Sequence, residues 1–174
     1  MISRWIPAAA FLAASTAFAQ DNSSNSARPA AVDDKLFAAA AADGGATEVA
    51  MSRLGVQKAT HEDLKKFSQK MIDEHTKLNA ELQQTAAQKG IALPREVGPC
   101  AQFELQSLSG LSGEEFDRCY AAAQLLAHKG AYAAFKAESE RGQDPAIKAL
   151  AEKALPKIKE HLDTIKPIAE KLEK

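Results

Sequence analysis

Four side chains in this 174-residue sequence have the types and spacing to do chemistry: Glu48, His75, His128 and His161. Each falls on the apolar stripe of a helix-like segment, where an ionisable group is out of place. Imidazoles with a carboxylate are the ligand types of zinc, iron, copper or nickel. Counted from the intervening turns at about 1.5 Å per residue, the members of each helix pair differ in depth by roughly 5 to 8 Å. All four can therefore share one layer near the middle of a bundle. A dinuclear carboxylate centre would need Glu three residues before His. Ile72, Leu125 and Ile158 stand there instead, so a dinuclear oxidase or ferroxidase is disfavoured and a mononuclear site remains. The competing reading is a buried polar layer, helped by Ser68, Asn79, Gln124 and Tyr132, that satisfies itself and fixes helix register. Asp73 and Glu74 are rotated about 200° and 100° off the His75 stripe and are expected in solvent. His61, in the first turn of its helix, is expected to be exposed and unrelated.

The elements that must carry these residues are helices. The first is predicted from about Asp33 to Ala59, with Phe37, Ala41, Gly44, Glu48, Met51 and Gly55 on one face. Its Gly44-Gly45 pair either permits close helix approach or breaks the helix. Thr60 with Asp63 resembles a capping box for a second helix carrying Leu64, Phe67, Met71, His75, Leu78 and Leu82, stopped at Gly90. A short helix, Ala101 to Leu108, sits in the proline- and glycine-punctuated segment 91–112. Ser112 with Glu115 opens a third long helix to about Arg141, its stripe Ala121, Leu125, His128, Tyr132 and Phe135. After Gly142, Asp144-Pro145 is an N-cap followed by proline in the first helical position. The fourth helix shows Ile147, Ala151, Ala154, Ile158, His161, Ile165, Ile168 and Leu172, with Pro156 expected to bend it. The fold class is all-α: an antiparallel four-helix bundle with alternating directions and a short extra helix between the second and third long helices.

The ends and composition bound the setting. Residues 1–19 read as a secretory signal: Arg4, an apolar run from Ile6 to Phe18, and an A-x-A site cut after Ala19. Residues 20–32 form a polar, flexible leader, and the domain spans 33–174. The cut would lower Lys+Arg from 22 to 21 against 23 acids, taking the formal charge from −1 to −2. That balance argues against nucleic acid, which calls for a basic face. The expected location is the periplasm or another exported setting. In such an oxidising compartment the two cysteines, Cys100 and Cys119, are expected to pair in a disulfide.

The stretches "AADGGATEV", "FSQKMIDEHTKLNAEL", "GIALP", "FDRCYAAAQLLAHKGAYAAFKAE" and "DPAIKALAEKALPKIKEHL" resemble an exported bacterial family, domain of unknown function 4142 (DUF4142), over about residues 33 to 168. The resemblance implies a ferritin-like fold and a bacterial envelope setting, and carries no established activity. The family pattern covers Gly44, Gly45, Glu48, His75, His128, Pro156 and His161. An aspartate commonly precedes the first histidine of that pattern, where this chain has Glu74, which keeps the charge.

The sequence shows no Ser-His-Asp nucleophile, phosphate loop or dinucleotide fingerprint. The leading expectation is a non-enzymatic binding or envelope-stress protein with a His/Glu layer and an envelope protein as partner. The alternative is a mononuclear metal-binding or metal-dependent redox protein using the same four residues and one ion of zinc, iron, copper or nickel. A small-ligand carrier using the bundle interior has no distinguishing residue.

Overall fold

The computed structural model describes residues 29–173, so the expected signal segment and most of the expected leader lie outside the described residues. Five helices follow in order: α1 (Asp34–Lys58), α2 (Glu62–Gln88), α3 (Pro99–Ser109), α4 (Gly113–Arg141) and α5 (Pro145–Leu172). Asp33 caps α1 by accepting from the amides of Lys35 and Leu36, and Asp144 caps α5 in the same way at Ala146 and Ile147. Pro145 opens α5, and Gly90 leaves α2 with a φ of 64°. α5 runs unbroken through Pro156 and Pro167. Both lie on its exposed side, where a carbonyl deprived of its amide partner can take water instead.

The helices pack as two hairpins, α1 with α2 and α4 with α5, which meet along α2–α5 and α1–α4. The chain does not alternate direction throughout. Lys58 of α1 donates to the Ser109 carbonyl and the Thr60 amide to Asp117 of α4, while Asp34 accepts from the amides of Gln143 and Asp144. α4 therefore starts where α1 ends, and runs parallel to α2. The segment after Gln88 and α3 make this possible by returning the chain along the bundle. Its anchor is Asp43 of α1, whose carboxylate accepts from the Gly98 amide at 2.6 Å, at the start of α3. Every long helix still packs against neighbours that run antiparallel to it.

Two capping expectations need correction. Thr60 does not cap α2; His61 does, with Nδ1 accepting from the Asp63 amide at 3.3 Å. Thr60 and His61 instead give their amides to the buried Asp117. A carboxylate from α4 thus satisfies the turn between α1 and α2. Ser112 occupies the N-cap of α4 without a side-chain hydrogen bond.

The expected disulfide is also overturned: Cys100 and Cys119 are free and exposed. Cys100 sits in the first turn of α3, held at the level of Asp43 by the Gly98 bond. Cys119 lies on the outer side of α4, between Asp117 and Tyr120, which both point inward.

Small residues decide how closely α1 is approached. At Gly55 a Cβ would lie 2.2 Å from Ser68 Oγ and 2.6 Å from the Tyr120 ring. Those two groups are already bonded to each other at 2.7 Å. At Gly45 it would lie 1.9 Å from Asn79 Oδ1, whereas at Gly44 it would meet nothing within 4 Å. The pair keeps α1 continuous, and only its second member is needed for close packing. Replacing Gly55 by Ala should cost about 1–3 kcal/mol through overpacking, whereas Gly44→Ala should gain about 0.5–1 kcal/mol of helix propensity; denaturant unfolding of the two variants reads the opposite signs.

At the α4–α5 turn Glu138 is 1% exposed and neither carboxylate oxygen has a partner. Burial, with Asp34 and Asp144 nearby and Lys148 opposing, pushes its pKa up to about 7. The folded state thus keeps a proton that the unfolded chain releases near pH 4.5, so the contribution of Glu138 to stability falls as pH rises from about 4.5 to 7. Glu138→Gln should flatten that slope and gain about 1–3 kcal/mol above pH 7, measured by denaturant midpoints across pH.

Candidate metal centre

The core is divided in two. One apolar cluster, built on Met51, Leu64, Phe67, Met71, Phe116, Tyr120 and Ile165, fills the Lys58 end. A smaller one, built on Phe37, Leu82, Ile147 and Ala151, fills the Asp34 end. Between them lies a polar layer: Glu48 from α1, His75 from α2, Gln124 and His128 from α4, and His161 from α5, none more than 8% exposed. Helical spacing brings them there. Glu48 precedes Met51 by three residues on one face, His75 follows Met71 by four, and His161 lies three after Ile158 and four before Ile165.

The three imidazoles form a nearly equilateral group, with ring centroids 5.4 Å apart for His75–His161 and His128–His161 and 5.8 Å for His75–His128. One nitrogen from each ring lies within 4.8 Å of the others. The remaining contacts fix the chemistry of two rings. His128 Nδ1 lies 2.9 Å from the Gln124 carbonyl, which can only accept, so Nδ1 carries the hydrogen and Nε2 keeps its lone pair. His161 Nε2 lies 2.5 Å from Glu74 Oε2. Although burial opposes it, bonding to His161 and Lys157 holds the Glu74 carboxyl below its usual range. Burial pushes the His161 pKa down despite Glu74, so a neutral ring donates through Nε2 and leaves Nδ1 as acceptor. His75 Nε2, His128 Nε2 and His161 Nδ1 are buried without any hydrogen-bond partner.

Electrostatics keep the group uncharged. Burial, followed by the neighbouring rings, lowers the His75 pKa to about 3. Burial also lowers His128 to about 4, against the Gln124 bond.

Glu48 stands beside this triangle. Its Oε1 is 3.9 Å from His128 Nδ1, the nitrogen already used by Gln124, and its Oε2 has no partner. Burial raises its pKa to about 7. Of the four residues singled out by sequence, the structure thus brings the three histidines together and places Glu48 against the far side of His128. Ser68 bonds Tyr120 and the Leu64 carbonyl, and Asn79 covers Gly45, so neither satisfies the layer. The Gln124 side chain has no partner at either atom.

The expectation that Glu74 lies in solvent fails. A position about 100° from the core stripe faces the neighbouring helix, and Glu74 reaches across to His161 and to Lys157, 3.2 Å away. Lys70–Glu160 and Lys153–Glu81 continue this α2–α5 seam on either side. Asp73 does stay outside, accepting from Gln69. The signal that could have flagged Glu74 is its place directly before a core histidine.

Fold and site define an all-helical bundle with an imidazole-lined middle. A family model described as "Domain of unknown function (DUF4142)" matches residues 19–168, and the chain belongs to that family. Among solved structures it is similar to "Crystal structure of DUF305 fragment from Deinococcus radiodurans", with a TM-score of 0.69 and 13% identity over 82% of this chain and 99% of that one. At that identity the likeness concerns the fold. No curated protein matches the chain. No helix among the described residues is long and apolar enough to cross a membrane.

The depressed imidazole pKa values set an acid limit for the metal-free protein. The unfolded chain binds protons near pH 6.5 that folded His75 and His128 refuse until about 3 and 4. The contribution of these two histidines to stability is therefore full above about 6.5 and is lost as pH falls below it. In thermal unfolding of chelator-treated protein from pH 7.5 to 4.5, His75→Gln should lose less stability on acidification than the wild type does.

Proposed function

We propose that this is an exported protein that binds one transition-metal ion, zinc, iron, copper or nickel, through His75, His128 and His161. The observation that carries the reading is that three buried histidines each offer a ring nitrogen within 4.8 Å of the others, while each ring keeps a nitrogen with no partner. A purely structural polar layer is stable when its members satisfy one another; this layer leaves one buried nitrogen of each ring without a partner. Neutral imidazoles are the ligand form, and an all-nitrogen donor set suits these ions and not calcium or magnesium. Such an ion would supply a Lewis-acidic or redox centre at mid-bundle.

The surrounding groups fit that role. Metal-bound histidines characteristically donate their second nitrogen to a carboxylate or carbonyl, which sets tautomer and ring orientation. Glu74 does this for His161 and the Gln124 carbonyl for His128. Glu48, 3.9 Å from His128 Nδ1 on the side of the ring held by Gln124, stays outside this three-histidine donor set. The signal-like segment 1–19 supports an exported location, and the family resemblance an envelope setting.

Purified without chelators from a metal-replete periplasm, the mature untagged protein should carry about one equivalent of metal, and a His75→Ala/His161→Ala variant none. Glu74→Gln should weaken binding about 10–100-fold, read by competition with a chromophoric chelator. Absence of metal from the wild type, even after refilling with each of the four ions, would make the layer structural.

A further inference from the structure

Next to the histidines, where α1 faces α4 above the first turn of α3, the bundle leaves an open groove of about 450 Å³. That volume falls in the range of small-molecule sites. Its walls are largely apolar, with Phe37, Leu82, Phe135, Leu150 and Ile158 among them, and Glu48 and His75 also line it. Every formally charged side chain on its lining is a carboxylate: Asp43, Glu48 and Glu104, with neither lysine nor arginine. Glu48 is 6% exposed and its Oε2 lacks a partner, so a buried acceptor is left wanting a donor.

Two glycines add an independent observation. Gly44 on α1 and Gly130 on α4 both line the groove, and a Cβ at either would meet nothing within 4 Å. Glycine inside a helix costs roughly 0.5–1 kcal/mol relative to alanine. Close packing requires Gly45 and Gly55 but neither of these two. What their missing side chains leave is room in the groove.

We propose that this groove binds a small amphiphile with a cationic amine head, its apolar body against Phe37, Leu82 and Phe135 and its ammonium group among Glu48, Asp43 and Glu104. An ammonium brings three donors and no acceptor, which suits an unpartnered carboxylate oxygen. A fatty acid of the same length would set its carboxylate against three others. A neutral apolar molecule would fill the walls and leave Glu48 Oε2 unsatisfied. The occupant needs no metal, so the proposal extends beyond the ion site, although His75 borders both.

Calorimetric titration of the metal-free mature protein with n-octylamine, octanoate and octanol at pH 7.5 tests this. Octylammonium should bind once per chain and at least tenfold more tightly than either of the other two. Glu48→Gln should weaken octylammonium by about tenfold while leaving octanol unchanged. Gly130→Leu and Gly44→Leu, both helix-favouring and free of clashes at Cβ, should abolish amine binding while metal content stays at the wild-type level. Equal affinity for octanoate, no binding of octylamine, or amine binding undiminished in both leucine variants would overturn the proposal. Because the titration uses metal-free protein, failure of the metal assignment would leave this result readable, and the reverse holds as well.

Discussion

The bond between His161 and Glu74 is the constraint on which the centre of the molecule depends. It joins α2 to α5 across the seam between the two hairpins. It fixes the His161 tautomer, and with it the direction in which the free nitrogen points. A buried imidazole without such a partner could turn either nitrogen inward. Lys157 holds the other carboxylate oxygen at 3.2 Å, so Glu74 is itself oriented from α5. The exposed lysine bridges along the same seam would each contribute little alone. Their value lies in holding Glu74 in register with the histidine below.

The polar layer weakens the core it divides, since neither apolar cluster can extend through the middle of the bundle. Other polar side chains, of which only Asp117 is fully buried, serve to close the chain's connections. Asp117 satisfies the turn between α1 and α2, Asp43 anchors α3, and Asp34 receives the turn into α5. Each of these carboxylates accepts from backbone amides. The histidine layer differs in kind, because three of its nitrogens accept from nothing. That contrast separates a fold-holding polar residue from one available to a ligand.

Much of the architecture was legible because helical periodicity and caps are local. The α5 stripe from Ile147 to Ile165, Asp144-Pro145 at its start, and the shared depth of the three histidines all follow from spacing and hydrophobicity. What escaped was non-local. The parallel course of α2 and α4 depends on where the long connection lands, and Asp43 decides that from a helix fifty-odd residues earlier. Glu74 stands about 100° off the His75 stripe, a direction that leads to the adjacent helix α5 rather than to solvent, and only the packing of α2 on α5 reveals it. On α4 the buried face is turned toward Tyr120 and Gln124, so Leu125, Tyr132 and Phe135 are only half-buried. The cysteines misled for a different reason: compartment chemistry permits a bridge, but only backbone geometry can make one.

The ligand set is divided unevenly between the hairpins, with His75 on the first and both His128 and His161 on the second. The α4–α5 hairpin can therefore present two imidazoles as soon as it forms, before the long crossover has been brought into place. An ion captured there would favour conformations in which α2 docks, because docking supplies the third nitrogen. If the proposed ion binds there, its acquisition and the assembly of the bundle would be linked events, and the ion would act as a clasp between the two hairpins.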